Sequence, residues 1–126
     1  MNIPQRCHNP LNLMFKKPIG RAVRIYRPHP NMEYGYGEFE FDYRGWGAGI
    51  DQIAADQRRG DTIRTFLAGH PGKPDGFAPI SENDTEKYIQ FVCNELRATP
   101  DDRLDKFSKY AIAGILAKYE GYYESD

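Results

Sequence analysis

Cysteine and long apolar runs are both scarce in this 126-residue sequence, and each shortage excludes a class of protein. The two cysteines, Cys7 and Cys93, lie far apart and form no Cys-x-x-Cys pair or Cys/His cluster, so neither a zinc site nor a dithiol redox motif is expected. They read as free thiols; a Cys7–Cys93 disulfide stays open, because sequence does not fix the geometry a bridge needs. No apolar stretch approaches the roughly 20 residues of a membrane span, and no basic stretch leads into a short apolar one, so neither a span nor a signal peptide is expected. Charge of one sign is also missing: 17 Lys+Arg stand against 18 Asp+Glu, a net charge of -1. That argues against a nucleic acid or an anionic membrane as the main partner. His8, His29 and His70 sit in separate loops without metal-ligand or triad spacing, and Gly35-Tyr36-Gly37 and Gly45-Trp46-Gly47 lack the context of a phosphate cradle. No metal or cofactor is expected.

What is present is an aromatic excess, nine Tyr and seven Phe with the single Trp46, within 40% hydrophobic residues. A chain of this length builds one core that buries roughly two-thirds of its unfolded surface, so a single domain over residues 1–126 is expected.

Residues 1–19, with Pro4, Pro10 and Pro18 around Leu11, Leu13, Met14 and Phe15, read as an irregular arm pinned to the core. Over 20–42 the alternation of Val23 and Ile25 with Arg24 and Tyr26, then of Phe39 and Phe41 with Glu38 and Glu40, predicts two strands of an antiparallel ribbon, joined by a loop at 31–37. Over 46–121 the period is helical. Trp46, Ile50, Ile53 and Ala54 form a first stripe that Gly60 ends; a second helix runs from an Asp61 cap through Ile63, Phe66 and Leu67 to Gly69. Asn83 with Glu86 predicts a capping box for a third helix carrying Tyr88, Ile89, Val92, Cys93 and Leu96. Thr99 and Pro100 open a short turn. A last helix, about 106–119, shows Phe107, Tyr110, Ala111, Gly114, Ile115 and Lys118 along one side, with Gly114 allowing a close helix crossing. The expected class is α+β, mainly α, with a small β-ribbon near the N-terminus.

Carboxylates and aromatic rings remain as chemistry, the residue types with which glycosidases protonate a leaving oxygen and stack on sugar faces. Glu82 and Asp84 flank the cap of the third helix and Glu120 ends the fourth. Capping accounts equally for Asp84 and Glu86, and a solvated acid on a fraying terminus for Glu120.

The order of motifs resembles one family. Asn9-Pro10-Leu11-Asn12-Leu13 resembles the Asn-Asn-Pro-Gly-Asn-Ile opening of small phage and prophage virion proteins with a lysozyme-like, peptidoglycan-degrading domain. Phe41-Asp42 with Trp46-Gly47 resembles that family's Phe-Asp-Ser-Pro-Glu-x-Gly helix entry, and Gly60-Asp61-Thr62-Ile63 its Gly-x-Thr-Val/Ile helix start. Residues 77–89, Phe-Ala-Pro-Ile-Ser-Glu-Asn-Asp-Thr-Glu-Lys-Tyr-Ile, are similar to its Trp-Ala-Pro-Pro-x-Glu-Asn-Asp-Thr-x-x-Tyr-Ile block, and 115–121 to its Ile-Ile-Arg-His-Glu-Asn-Gly ending. Leu11 replaces the family glycine, Gly45 a glutamate and Phe77 a tryptophan. Aligned on Gly121, the family glutamate falls on Tyr119; a one-residue shift places it on Glu120.

The resemblance implies a lysozyme-like helical domain that cleaves β-1,4 glycan bonds of peptidoglycan, by hydrolysis or as a lytic transglycosylase. It implies Glu120 first and Glu82 second as catalytic acids, with Asn9, Asn12, Trp46, Asn83 and Tyr88 along a glycan groove. Peptidoglycan strands and other virion or tail proteins would be the partners, and the protein would sit in the virion or, before assembly, in the host cytoplasm. A catalytically inactive virion or tail component on the same scaffold is the alternative. A third reading makes the Tyr-rich stretch from Glu33 to Tyr43 a protein-binding surface.

Overall fold

The computed structural model describes residues 1–73, 75–79 and 84–125. Its elements are α1 (Ile3–Arg6), β1 (Met14–Phe15), β2 (Arg24–Tyr26), β3 (Gly35–Glu38), α2 (Asp42–Arg58), α3 (Ile63–Ala68), α4 (Thr85–Leu96) and α5 (Lys109–Glu120), with a 3-10 turn at Leu104–Lys106. The class is α+β, mainly helical, with a small antiparallel sheet. Packing divides the chain into two units, residues 1–52 with 116–126, and residues 53–115.

In the first unit the arm is more regular than its prolines suggest. Asn2 caps α1 and shares a capping box with Gln5, and Pro4 occupies the first turn, where its missing N–H costs nothing. Asn9 then closes the next turn. Its amide N–H groups donate to the Leu13 and Gly37 carbonyls, both at 2.9 Å, and its oxygen accepts from the Leu13 N–H at 2.9 Å. This ties the arm to the sheet, whose strand order is β1-β3-β2.

The central strand, β3, lies mostly within the stretch expected to be the connecting loop, with Tyr36 opposite both Met14 and Tyr26. Glycine is the physical reason. A Cβ on Gly35 would lie 2.6 Å from Ile25 and from the Tyr26 carbonyl oxygen, and one on Gly37 2.5 Å from the Phe15 ring. Residues that usually weaken a strand here permit close neighbours on both sides. Phe39 and Phe41 are not in the strand. Phe39 is buried and its N–H donates to the Cys7 carbonyl at 2.8 Å, while Phe41 is exposed and stacks on Tyr43.

α2 begins at Asp42, four residues earlier than expected, and carries Gly45 and Gly49 one turn apart on the same face. The 8–11 turn lies on this bare stripe. A Cβ on Gly45 would overlap the His8 carbonyl oxygen, and one on Gly49 would stand 2.7 Å from the buried Leu11 side chain.

In the second unit Gly60 (φ 79) ends α2 as its position suggests. Thr62, not Asp61, caps α3, in a capping box with Thr65. The next amides of α3 are met from elsewhere in the chain: Ile63 and Arg64 donate to the Asp102 and Pro100 carbonyls, both at 3.0 Å. Asp61 is instead buried, accepting from Arg59 at 2.9 Å with His70 Nε2 3.1 Å away. Asp84 caps α4 through the Lys87 N–H; the expected cap Asn83 and the neighbouring Glu82 lie outside the described residues. Glu86 pairs with Arg64 at 2.6 Å instead of closing a box. Tyr88, Ile89, Val92 and Cys93 are buried as their spacing requires.

α5 turns a different face inward from the one expected. Ile112, Ala113, Leu116 and Ala117 are buried, whereas Tyr110 is 65% exposed. Residues 111–117 are apolar or glycine throughout, so periodicity alone does not choose between faces two residues, or about 200°, apart. Among the described residues nothing lies within 4 Å of a Cβ built on Gly114, so none of them makes a close crossing there.

The two kinds of helical glycine should respond oppositely to one substitution. Gly45→Ala drives a methyl group into backbone and should cost about 3 kcal/mol or more, whereas Gly114→Ala should gain about 0.5–1 kcal/mol from helix propensity and unfolded-state entropy. Urea denaturation of both variants checks this; equal effects would contradict the packing described.

Candidate functional site

Glu120 stands where α5 ends. The Tyr122 N–H donates to the Ala117 carbonyl at 3.0 Å and the Gly121 N–H to that of Lys118 at 3.3 Å, with Gly121 at φ 90, so the last carbonyls are closed by a Schellman motif. The terminus therefore does not fray at Glu120. It is held further by α1: Asn2 donates to the Gly121 carbonyl at 2.6 Å, and Gln5 to those of Tyr122 at 3.0 Å and Glu124 at 2.5 Å.

A carboxylate at the negative end of a helix dipole opposes helix stability. Here a donor meets it. Asn12 adopts left-handed backbone (φ 55), just after the Asn9 turn, and its Nδ2 donates to Glu120 Oε1 at 3.1 Å. The amide oxygen of Asn12 is buried and has no hydrogen-bond partner among the described residues. An asparagine orients a carboxyl group without exchanging protons with it, so this contact fixes one Glu120 oxygen and leaves acid–base chemistry to the glutamate.

A second cluster in the same unit lies two residues further along. The Tyr122 hydroxyl donates to Asp42 Oδ2 at 2.8 Å, and His8 Nδ1 lies 2.7 Å from Asp42 Oδ1. Asp42 is the first residue of α2, where the helix dipole favours negative charge. Trp46, one turn on, meets the Tyr122 ring edge-to-face at 5.5 Å and the Tyr123 ring at 6.4 Å; Tyr123 is 61% exposed. Burial first, and then the hydrogen bond and charge of Asp42, push the Tyr122 hydroxyl up to about 12, opposed by the Trp46 indole N–H.

Of the residues expected to carry function, the structure brings Glu120 and Asn12 into contact and places Trp46, half-buried, beside Tyr122. Asn9 is fully buried with its amide engaged by backbone, so it shapes the turn instead of lining a groove. Tyr88 is buried against Phe77 in the core of the second unit, which removes it from any glycan surface. Glu82 and Asn83 fall outside the described residues. Asp42, His8, Tyr122 and Tyr123 were missed by sequence reasoning. The available signal was Tyr122-Tyr123 directly after Gly121, an aromatic pair where a fraying end would have polar residues.

Among the described residues no group of three His, Cys, Asp or Glu side chains is placed to hold a metal ion, and no helix is long and apolar enough to cross a membrane. Cys7 and Cys93 are separate buried thiols, both pushed up chiefly by burial, Cys7 to about 11. Compared with models of protein families the chain matches none, and no curated protein is significantly similar to it.

The raised groups set an alkaline limit. Cys7 and Tyr122 are both neutral when protonated, and folding raises their pKa, so their contribution is complete below the unfolded values near 9 and 10 and is lost as pH climbs to about 11 and about 12. Stability measured by chemical denaturation should therefore fall above pH 9, and Tyr122→Phe should remove the part of the fall between 10 and 12. An identical alkaline limb in that variant would show that Tyr122 is not held as described.

Proposed function

We propose that this protein is a lysozyme-like, peptidoglycan-degrading domain of virion origin that cleaves β-1,4 glycan bonds, with Glu120 as its catalytic acid. The observation that carries the reading is the Asn12–Glu120 contact, which joins the two ends of the chain that resemble the family's opening and closing motifs. A neutral amide that orients one carboxyl oxygen, as Asn12 does, is compatible with Glu120 acting as a proton donor.

In this reading Glu120 protonates the glycosidic oxygen as the bond to the anomeric carbon breaks, and then, as carboxylate, takes a proton from the attacking nucleophile. That nucleophile is water in a hydrolase and the muramyl 6-hydroxyl in a transglycosylase. Tyr123 offers an exposed ring for a sugar face. Asp42, at a helix start and in the same unit, is the candidate for a second carboxylate.

The alternative, a virion or tail component that has lost catalysis, is favoured by a different observation. Asn2, Gln5 and Asn12 all bond to residues 120–124, so Glu120 also works as one of several latches between the two chain ends. Zymography on purified cell wall separates the two. The enzyme reading expects lysis by the wild type and a loss of about 10²-fold or more in Glu120→Gln, the scale of removing a general acid, with the fold retained by circular dichroism. No lysis by the folded wild type would leave the structural reading standing, and undiminished lysis by Glu120→Gln would remove that residue.

A further inference from the structure

The net charge of -1 is the sum of two unlike stretches. Residues 1–32 hold six cations, Arg6, Lys16, Lys17, Arg21, Arg24 and Arg27, and no acid; the remaining residues hold 11 cations and all 18 acids. The fold offsets this only in part. From β3 and the residues before it, Glu33 takes Lys16 at 2.7 Å and Glu38 takes Arg24 at 2.6 Å. Arg27 donates to the backbone carbonyls of Lys16, Met32 and Glu33, and Arg6 lies over the Tyr26 ring at 4.3 Å, contacts that hold both guanidiniums without cancelling their charge. Lys17 and Arg21 have no ion-pair partner among the described residues.

Residues 16–21 are exposed throughout. Within them Gly20 (φ 62) and the Ala22 N–H donating to the Ile19 carbonyl at 3.2 Å form a turn. On either side of it stand Ile19, 55% exposed, and Val23, 52% exposed, interleaved in sequence with Lys17, Arg21 and Arg24. Two branched aliphatic side chains left in water beside Lys17 and Arg21 are of little use to a soluble polyanion, which offers them nothing apolar. The headgroup layer of an anionic bilayer accommodates both kinds at once: phosphates for the cations and the acyl boundary for the aliphatics.

We propose that this turn, residues 16–24, is a docking surface for an anionic lipid bilayer, with Lys17 and Arg21 meeting lipid phosphates and Ile19 and Val23 entering the interface. The proposal does not depend on glycan cleavage, and no glycan enters its test.

Co-sedimentation with vesicles of phosphatidylcholine alone, and of phosphatidylcholine mixed with phosphatidylglycerol, tests it on the full chain. Binding should occur to the mixed vesicles, weaken with added salt, and fall by about tenfold or more in both the Lys17→Glu/Arg21→Glu and the Ile19→Ser/Val23→Ser double variants. All four side chains are exposed, and unchanged thermal melts would confirm that the variants fold. As a check independent of affinity, Ile19→Trp should gain a fluorescence component, beyond that of Trp46, which brominated lipid quenches. No binding to the mixed vesicles overturns the proposal. So does binding that charge reversal abolishes and Ile19→Ser/Val23→Ser leaves intact, particularly if polyphosphate or DNA competes for it; the surface would then serve a soluble polyanion.

Discussion

Two glycines one turn apart on α2 decide where the N-terminal turn lies. Gly45 and Gly49 strip one face of the helix to backbone, and the 8–11 turn settles there with Leu11 fully buried against Gly49. Everything at the candidate site depends on that seat. Once the turn is fixed, Asn9 can span from Leu13 to Gly37, Asn12 emerges in left-handed conformation toward Glu120, and His8 comes within hydrogen-bond reach of Asp42.

The C-terminal end illustrates how polar contacts divide between building and chemistry. Asn2 and Gln5 donate to carbonyls beyond α5, Asn2 adding to the Glu124 N–H that already meets the Gly121 carbonyl. Asn12 addresses a carboxylate and keeps an oxygen unused. Satisfied bonds of the first kind account for order at the terminus; the second leaves the buried Asn12 oxygen without a partner among the described residues.

Charge shows the limit of a whole-chain sum. A net value of -1 argues against an anionic partner only if cations and acids are mixed, and in this chain they are segregated along the sequence. With a Debye length of about 8 Å at physiological ionic strength, a membrane or polymer responds to the local stretch and not to the total. The count of acids before Glu33, which is zero, carried this information throughout.

Much of the helical part was legible because its signals are local. Gly60 and Gly69 stop helices through positive φ, and the α4 stripe of Tyr88, Ile89, Val92 and Cys93 is regular enough to assign a buried face. By itself the sequence determined the class, the approximate positions of α3, α4 and α5 and the absence of a long apolar span, all properties of short windows. The burial of α5 was not determined, because residues 111–117 are apolar or glycine all round and any face would serve. Nor was β3, since Gly35 and Gly37 read as loop until neighbouring strands require their missing side chains. The meeting of Asn12 with Glu120, 108 residues apart, was decided by tertiary structure alone. Such a contact is set by where the turn seats on α2 and where α5 stops, and no local pattern encodes the two together.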